Sequence, residues 1–288
     1  MLNRKNPFRI DDNLCISFSG GRTSAYMLYR YLDHYDGTLP ENTIVTFANT
    51  GKEMLQTLDF VRDCEKNWGV KIHWIELARC VEVEKKGSKR SFHYEYKEVD
   101  YLTASRKGEP FEILIRGRGM LPNPVSRFCT ASLKIRAVNR FIQDFKGWDY
   151  WDSAIGIRVD ENSRVVKILS KRKSDKGYEI LPLWAAGIGK KTVYDFWSNN
   201  NFDLRLPNNG GVTEWGNCDL CFLKGYKKRV ALVREEPKIL SWWENMERES
   251  NQRFSVNSKS YEDIGIIARS GDNIGYEGDL TIPCFCGD

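Results

Sequence analysis

The chain has 288 residues, 41% of them hydrophobic, with 44 basic and 39 acidic side chains and a formal net charge of +5. That composition supports one folded core with room for an appendage and excludes disordered and low-complexity classes. No apolar run approaches a membrane span and the opening MLNRKNPFRIDDN lacks the apolar centre of a secretory signal, so a cytoplasmic location without a membrane partner is expected.

Residues 14–18 (LCISF) read as a buried strand, and Ala25, Leu28 and Leu32 set a helix over 23–32. A second strand is predicted at 43–48 (TIVTFA), a loop at NTGKE, a helix over 53–68 and a third strand at 70–75 (VKIHWI). This alternation of strand and helix predicts a parallel α/β sheet. Residues 80–128 are charged and aromatic and read as an insertion or a set of loops lining a site. A helix over 131–145, strands at 152–157 and 180–184, and a helix at KKTVYDFWSNN follow. Gly- and Asn-rich residues 201–225 precede helices in 227–249 and 259–269 and a patternless tail, LTIPCFCGD. The expected organisation is a nucleotide-binding α/β domain over 1–200 and a mostly helical, cysteine-bearing region over 201–288.

The stretch SFSGGRTSA joins the first strand to the first helix. Glycines let backbone approach a ligand, and a helix N-terminus offers unpaired N–H groups and the positive end of a dipole, which together suit an anion. Ser17, Ser19, Thr23 and Ser24 add hydroxyls. Taken alone, the loop is equally a plain tight turn. Arg116, Arg118, Arg127, Arg158 and Arg164 fall in loop-like segments, and their guanidinium forks suit phosphate and sulfate oxygens. The basic run KILSKRKSDK reads as a solvated loop or as a contact for nucleic-acid phosphates.

Of the eight cysteines, Cys15, Cys64 and Cys80 lie in or near apolar runs and are expected to be buried and inert. Cys218 and Cys221 form a C-x-x-C pair able to chelate one metal ion or cluster, with Cys129 far upstream and Cys284 and Cys286 far downstream. A redox pair, a structural zinc site and an iron–sulfur cluster all remain open on the residues alone. His34, His73 and His93 show no metal spacing.

Five ordered segments resemble the phosphoadenylyl-sulfate reductase family within the PP-loop group: SFSGGRTSA, FANTGKEMLQTLDFV, RFCTASLKIRAVNRFI, IGIRVDENSR and LPLWAAGIGKKTVYDFW. The likeness implies a three-layer, Rossmann-like α/β/α core with an adenine nucleotide at the C-terminal edge of its sheet. It implies that Ser17, Ser19, Gly20, Gly21, Thr23 and Ser24 hold phosphate or sulfate oxygens. Phe47 and Asn49 are then expected beside adenine and ribose, Arg158 and Arg164 on the anion, and Arg158 and Glu161 in catalytic roles. It further implies a [4Fe–4S] cluster, with zinc as the alternative, on Cys129, Cys218, Cys221 and Cys284. Cys286 is expected as the nucleophile whose thiosulfonate a thiol reductant such as thioredoxin resolves, although the reverse assignment of the two tail cysteines stays open. Three departures stand out. Thr23 occupies the place of an Asp in the ATP-splitting members, which bears on Mg²⁺ and on ATP cleavage. Phe128 stands where the family pairs two cysteines, and no Glu precedes the tail Cys-Gly. A sulfonucleotide reductase is therefore expected first, an ATP-dependent thiolation enzyme acting on nucleic acid second, and a nucleotide-binding partner subunit with structural zinc third.

Overall fold

A computed structural model describes residues 6–83, 90–170, 176–213, 215–216 and 218–271. Its centre is a six-stranded sheet in the order β4-β3-β2-β1-β5-β6. The strands are β1 (Leu14–Ser17), β2 (Thr43–Ala48), β3 (His73–Val83), β4 (Ser91–Val99), β5 (Asp152–Ile155) and β6 (Glu179–Ile180). All neighbouring pairs are parallel except β3 with β4. This is the predominantly parallel α/β sheet expected from the sequence.

Two-residue periodicity sorts the strands between two faces. Leu14, Ile16, Val45 and Phe47 enter one core, together with Ala25, Leu28, Leu58 and Trp197 from α1 (Arg22–His34), α2 (Leu55–Trp68) and α7 (Lys190–Ser198). Cys15 and Ile44 point the other way, onto Ile142 of α4 (Arg136–Lys146) and Trp151. The helices α5 (Asn162–Leu169) and α6 (Pro182–Ala185) flank β6 in sequence, and a short hairpin of β7 (Asn208–Asn209) and β8 (Val212–Thr213) follows α7.

The segment expected to be loops is mostly ordered structure. β3 runs on past 75 to pair antiparallel with β4, and α3 (Glu109–Arg118) packs on β3. The polar–aromatic alternation of SFHYEYKEV is that of an edge strand with one covered face: Phe92, Tyr94 and Tyr96 turn inward. Gly117 permits the close approach of α3, since a Cβ there would stand 2.2 Å from the Cys80 carbonyl oxygen. ILPLW is likewise divided, β6 ending at Ile180 and α6 beginning at Pro182, a residue suited to a first helical turn.

A second core joins α3 to the C-terminal helices α8 (Tyr226–Glu235), α9 (Leu240–Ser250) and α10 (Tyr261–Ser270), through Phe111, Leu220, Val230, Trp243, Phe254 and Tyr261. Between these cores, Thr130–Ile135 forms a π-helical segment that runs into α4. Among the described residues, no helix is long and apolar enough to cross a membrane.

Candidate functional site

The strand order reverses at β1, whose sequence-adjacent partner β2 lies on one side and whose later partner β5 lies on the other. Open α/β sheets leave a crevice at such a switch point, beyond the C-terminal ends of the strands. A cleft of about 280 Å³ occurs there, lined by Ser17, Ser19 and Ser24, by Thr46 and Ala48 of β2, by Ser153 and Ile155 of β5 and by Arg164. Its apolar wall includes Ile135, Val138, Trp151 and Ile168.

The loop from β1 to α1 is tightly determined. Gly20 has φ +81°, and a Cβ added to it would stand 2.5 Å from Thr57 Cγ2. This glycine is thus required by the packing of the loop on α2 as well as by backbone conformation. Ser24 Oγ accepts from Ser19 N at 3.1 Å, lies 2.8 Å from Ser19 Oγ and donates to the Gly21 carbonyl at 3.0 Å. Gly21 precedes the first turn of α1 and gives it no side-chain cap, and that turn carries no acidic residue. The helix N-terminus therefore keeps the polarity that favours an anion.

The segment after β5 closes on this loop. Arg158 Nη1 donates to Thr23 Oγ1 at 2.7 Å, so the residue at the place of an Asp in the ATP-splitting PP-loop proteins is a partner of an arginine. Glu161 accepts from Arg158 N at 2.9 Å and from Arg164 Nη1, and so holds the two arginines in place. Arg164 is 6% exposed, and its Nε has no hydrogen-bond acceptor among the described residues. A buried donor left open in this way is costly unless a ligand completes it.

The expected nucleotide residues thus divide. Ser17, Ser19, Ser24 and Arg164 line the cleft, while Thr23 and Arg158 line an adjoining cavity of about 30 Å³ with Arg22 and Thr213. Gly20 and Gly21 shape the turn. Phe47 lies on the opposite face of β2 from Thr46 and Ala48, 5.0 Å from Trp74 in an edge-on contact. Asn49 is fully buried and donates to Glu76 Oε1 at 2.6 Å and to the Ser105 carbonyl at 2.9 Å. Neither borders the cleft. Phe47 belongs to β2 itself, where strand alternation turns it inward, and Asn49 directly follows that strand.

Cys129, Cys218 and Cys221, far apart in sequence, line one cavity of about 20 Å³ with Thr50, Phe111, Arg127, Leu133 and Phe222. Thr50 Oγ1 lies 3.6 Å from Cys218 Sγ, and Glu53 forms an isolated bridge with Cys218. Burial foremost pushes the Glu53 carboxyl up, against the pull of Lys134 and hydrogen bonds from Thr50. Thr130 and Lys134 line both this cavity and the cleft, so the two share a wall formed by the π-helical segment. Neither residue was singled out from the sequence, although the quoted RFCTASLKIRAVNRFI segment contains both.

The sulfur donors suit an iron–sulfur cluster or zinc in type. Among the described residues, no group of three His, Cys, Asp or Glu stands in a metal-holding arrangement. A fourth ligand would come from the tail, and Cys284 and Cys286 lie outside the described residues. Phe128, at the place of the family's other cysteine, packs beneath the Arg118 guanidinium at 4.5 Å. Cys15, Cys64 and Cys80 are buried as expected, and desolvation raises all three thiol pKa values, that of Cys15 to about 12.

The features together define an α/β protein with a switch-point cleft and a cysteine-lined cavity against it. No family model matches the chain. Two curated relatives are themselves uncharacterised. The nin region protein ORF290 of Escherichia phage lambda is 27% identical over 221 residues, covering 77% of this chain and 69% of its own length. The protein MJ0066 of Methanocaldococcus jannaschii is 25% identical over 267 residues, covering 88% of this chain and 45% of its own length. Two solved structures are similar at 16% identity. A phosphoadenylyl-sulfate reductase from Candida auris, in a phosphate complex, has a TM-score of 0.38 and covers 68% of this chain and 79% of its own. The U34-tRNA thiolase NcsA from Methanococcus maripaludis, with its [4Fe–4S] cluster, has a TM-score of 0.40 and covers 96% and 80%. At these scores superposition is partial, and the α/β fold rests on the sheet topology itself.

Proposed function

We propose that this chain is an enzyme of the phosphoadenylyl-sulfate reductase type, which holds an adenine nucleotide in the switch-point cleft and carries out thiol chemistry on a sulfur group beside it. The observation that carries the reading is the wall of Thr130 and Lys134 common to the cleft and the cysteine cavity. In this reading the apolar wall takes the adenosine moiety, while Ser19, Ser24 and Arg164 take the phosphate or sulfate oxygens. Arg158 and Glu161 fix the loop around Thr23. Cys129, Cys218 and Cys221, with one tail cysteine, would hold a [4Fe–4S] cluster, which when bound would order the thiol side. The remaining tail thiolate attacks the sulfur of a sulfonucleotide, an S–O bond breaks, and the nucleotide leaves with that electron pair. A second thiol, from a reductant such as thioredoxin, then attacks the enzyme-bound thiosulfonate to give a disulfide and sulfite.

Anaerobic purification with iron and sulfide analysis, followed by a sulfite-release assay with adenylyl sulfate, its 3′-phosphorylated form and a thiol reductant, tests this function. The expected result is a brown protein that releases sulfite. A colourless protein binding one zinc, or no sulfite from either substrate, counts against it. A second reading, sulfur transfer to nucleic acid with ATP consumption, is favoured by the exposed Ile135 and Arg136 on the segment bordering the cleft. It predicts AMP formation stimulated by nucleic acid.

A further inference from the structure

Asp219 lies between Cys218 and Cys221 in sequence, yet it borders neither the cleft nor the cysteine cavity. Its carboxylate is turned into the protein, where Oδ2 stands 2.8 Å from Lys52 Nζ and both side chains are nearly inaccessible. Oδ1 accepts from Trp243 Nε1 at 2.7 Å and from Leu220 N at 2.6 Å. The Asp219 backbone N donates to the Lys52 carbonyl at 2.6 Å, completing contact in both directions. The Lys52 ammonium lies 5.0 Å from the ring centre of Trp242 and 5.9 Å from that of Trp243. Lys52 itself belongs to the NTGKE loop, which leaves β2 directly after the cleft-lining Ala48 and passes Thr50 against Cys218.

We infer that Lys52 and Asp219 are a positioning pair, which seats the C-x-x-C turn on the end of β2 and thereby brings Cys218 and Cys221 to face Cys129. The inference rests on the reading that these three cysteines act together. A buried ion pair contributes little net stability compared with an apolar replacement, but its geometry fixes a register, and the loss of one partner leaves an uncompensated charge. Here the fixed register is that of a turn whose Cys218 also bridges Glu53 through the backbone and meets Thr50 Oγ1 through its thiol. Lys224 supports the same turn from below, its Nζ donating to the carbonyls of Cys218 and Asp219 at 2.6 and 2.7 Å.

The test is thiol–thiol crosslinking of the full chain, treated with a chelator, using dibromobimane and peptide mapping by mass spectrometry. Wild type is expected to yield Cys129 linked to Cys218 or Cys221. Lys52→Met and Asp219→Asn should lose most of that product while retaining native near-ultraviolet circular dichroism, and Lys52→Arg should retain it. If either single variant fails to fold, the double variant Lys52→Met/Asp219→Asn, which buries no unpaired charge, takes its place with the same expected loss. Full crosslinking in a folded Lys52→Met or in the double variant would overturn the positioning role. A wild-type chain that gives no Cys129 product would instead overturn the convergence of the three thiols, and the inference with it.

Discussion

The cleft and the cysteine cavity share a wall but are assembled in different ways. The cleft is centred on a contiguous strand, turn and helix and walled by β2, β5 and α4, and one segment after β5, whose Arg158 reaches Thr23, closes on its loop. The cavity is gathered from distant segments, namely the loop after β2, α3, the helical stretch carrying Cys129 and the C-x-x-C turn, and its framework is a set of buried polar contacts around Asp219 that recruit Lys52, Trp243 and Lys224. A site written locally survives as long as its turn is intact. A site gathered from afar depends on residues that never touch it.

Four measurements bear on this contrast, from the largest expected effect to the smallest. Asp219→Ala leaves the Lys52 ammonium buried without its carboxylate and should destabilise the fold by about 3–5 kcal/mol in urea unfolding. A loss under 1 kcal/mol would make the cavity as self-sufficient as the cleft. Gly20→Ala places a Cβ against Thr57 at a left-handed backbone position, and should cost about 2–4 kcal/mol by the same assay. Arg164→Gln removes a buried guanidinium from the cleft. It should weaken adenine-nucleotide binding roughly tenfold or more by calorimetry, because a hydrogen bond to a charged group contributes about 1.5–3 kcal/mol. Unchanged affinity would remove the arginine from the anion site. Finally, Cys15 lies on the cleft wall with its pKa at about 12, so at pH 8 it should resist a thiol reagent that modifies Cys129, Cys218 or Cys221. Equal rates would erase the chemical distinction between the two regions.

The same contrast explains what could be read in advance. Strand-helix alternation and the Ser-Gly-Gly turn located β1, α1, β2 and α2 nearly to the residue, because hydrophobic periodicity and a tight turn are local. The partition of β2 was equally available, since neighbouring residues must face opposite sides of the sheet, but the family pattern assigned Phe47 by position rather than by parity. The strand β4 was lost among charges because its exposed face carries His93, Glu95 and Lys97 and only its covered face is aromatic. The Lys52–Asp219 pair left no local signal at all. A lysine in a loop and an aspartate between two cysteines each look solvated until long-range packing brings α9 over both.

The π-helical segment Thr130–Ile135 has a consequence of its own. Such a segment accommodates one residue beyond ordinary helical winding. Each residue of an α-helix turns the chain by about 100°. Regular winding over the five steps from Cys129 to Lys134 would turn the chain by about 500° and swing the thiol and the ammonium to different sides of the axis. The wide turn therefore works as a spacer in angle rather than in length, letting a thiol on one cavity and a lysine that borders both cavities be read from a single partition.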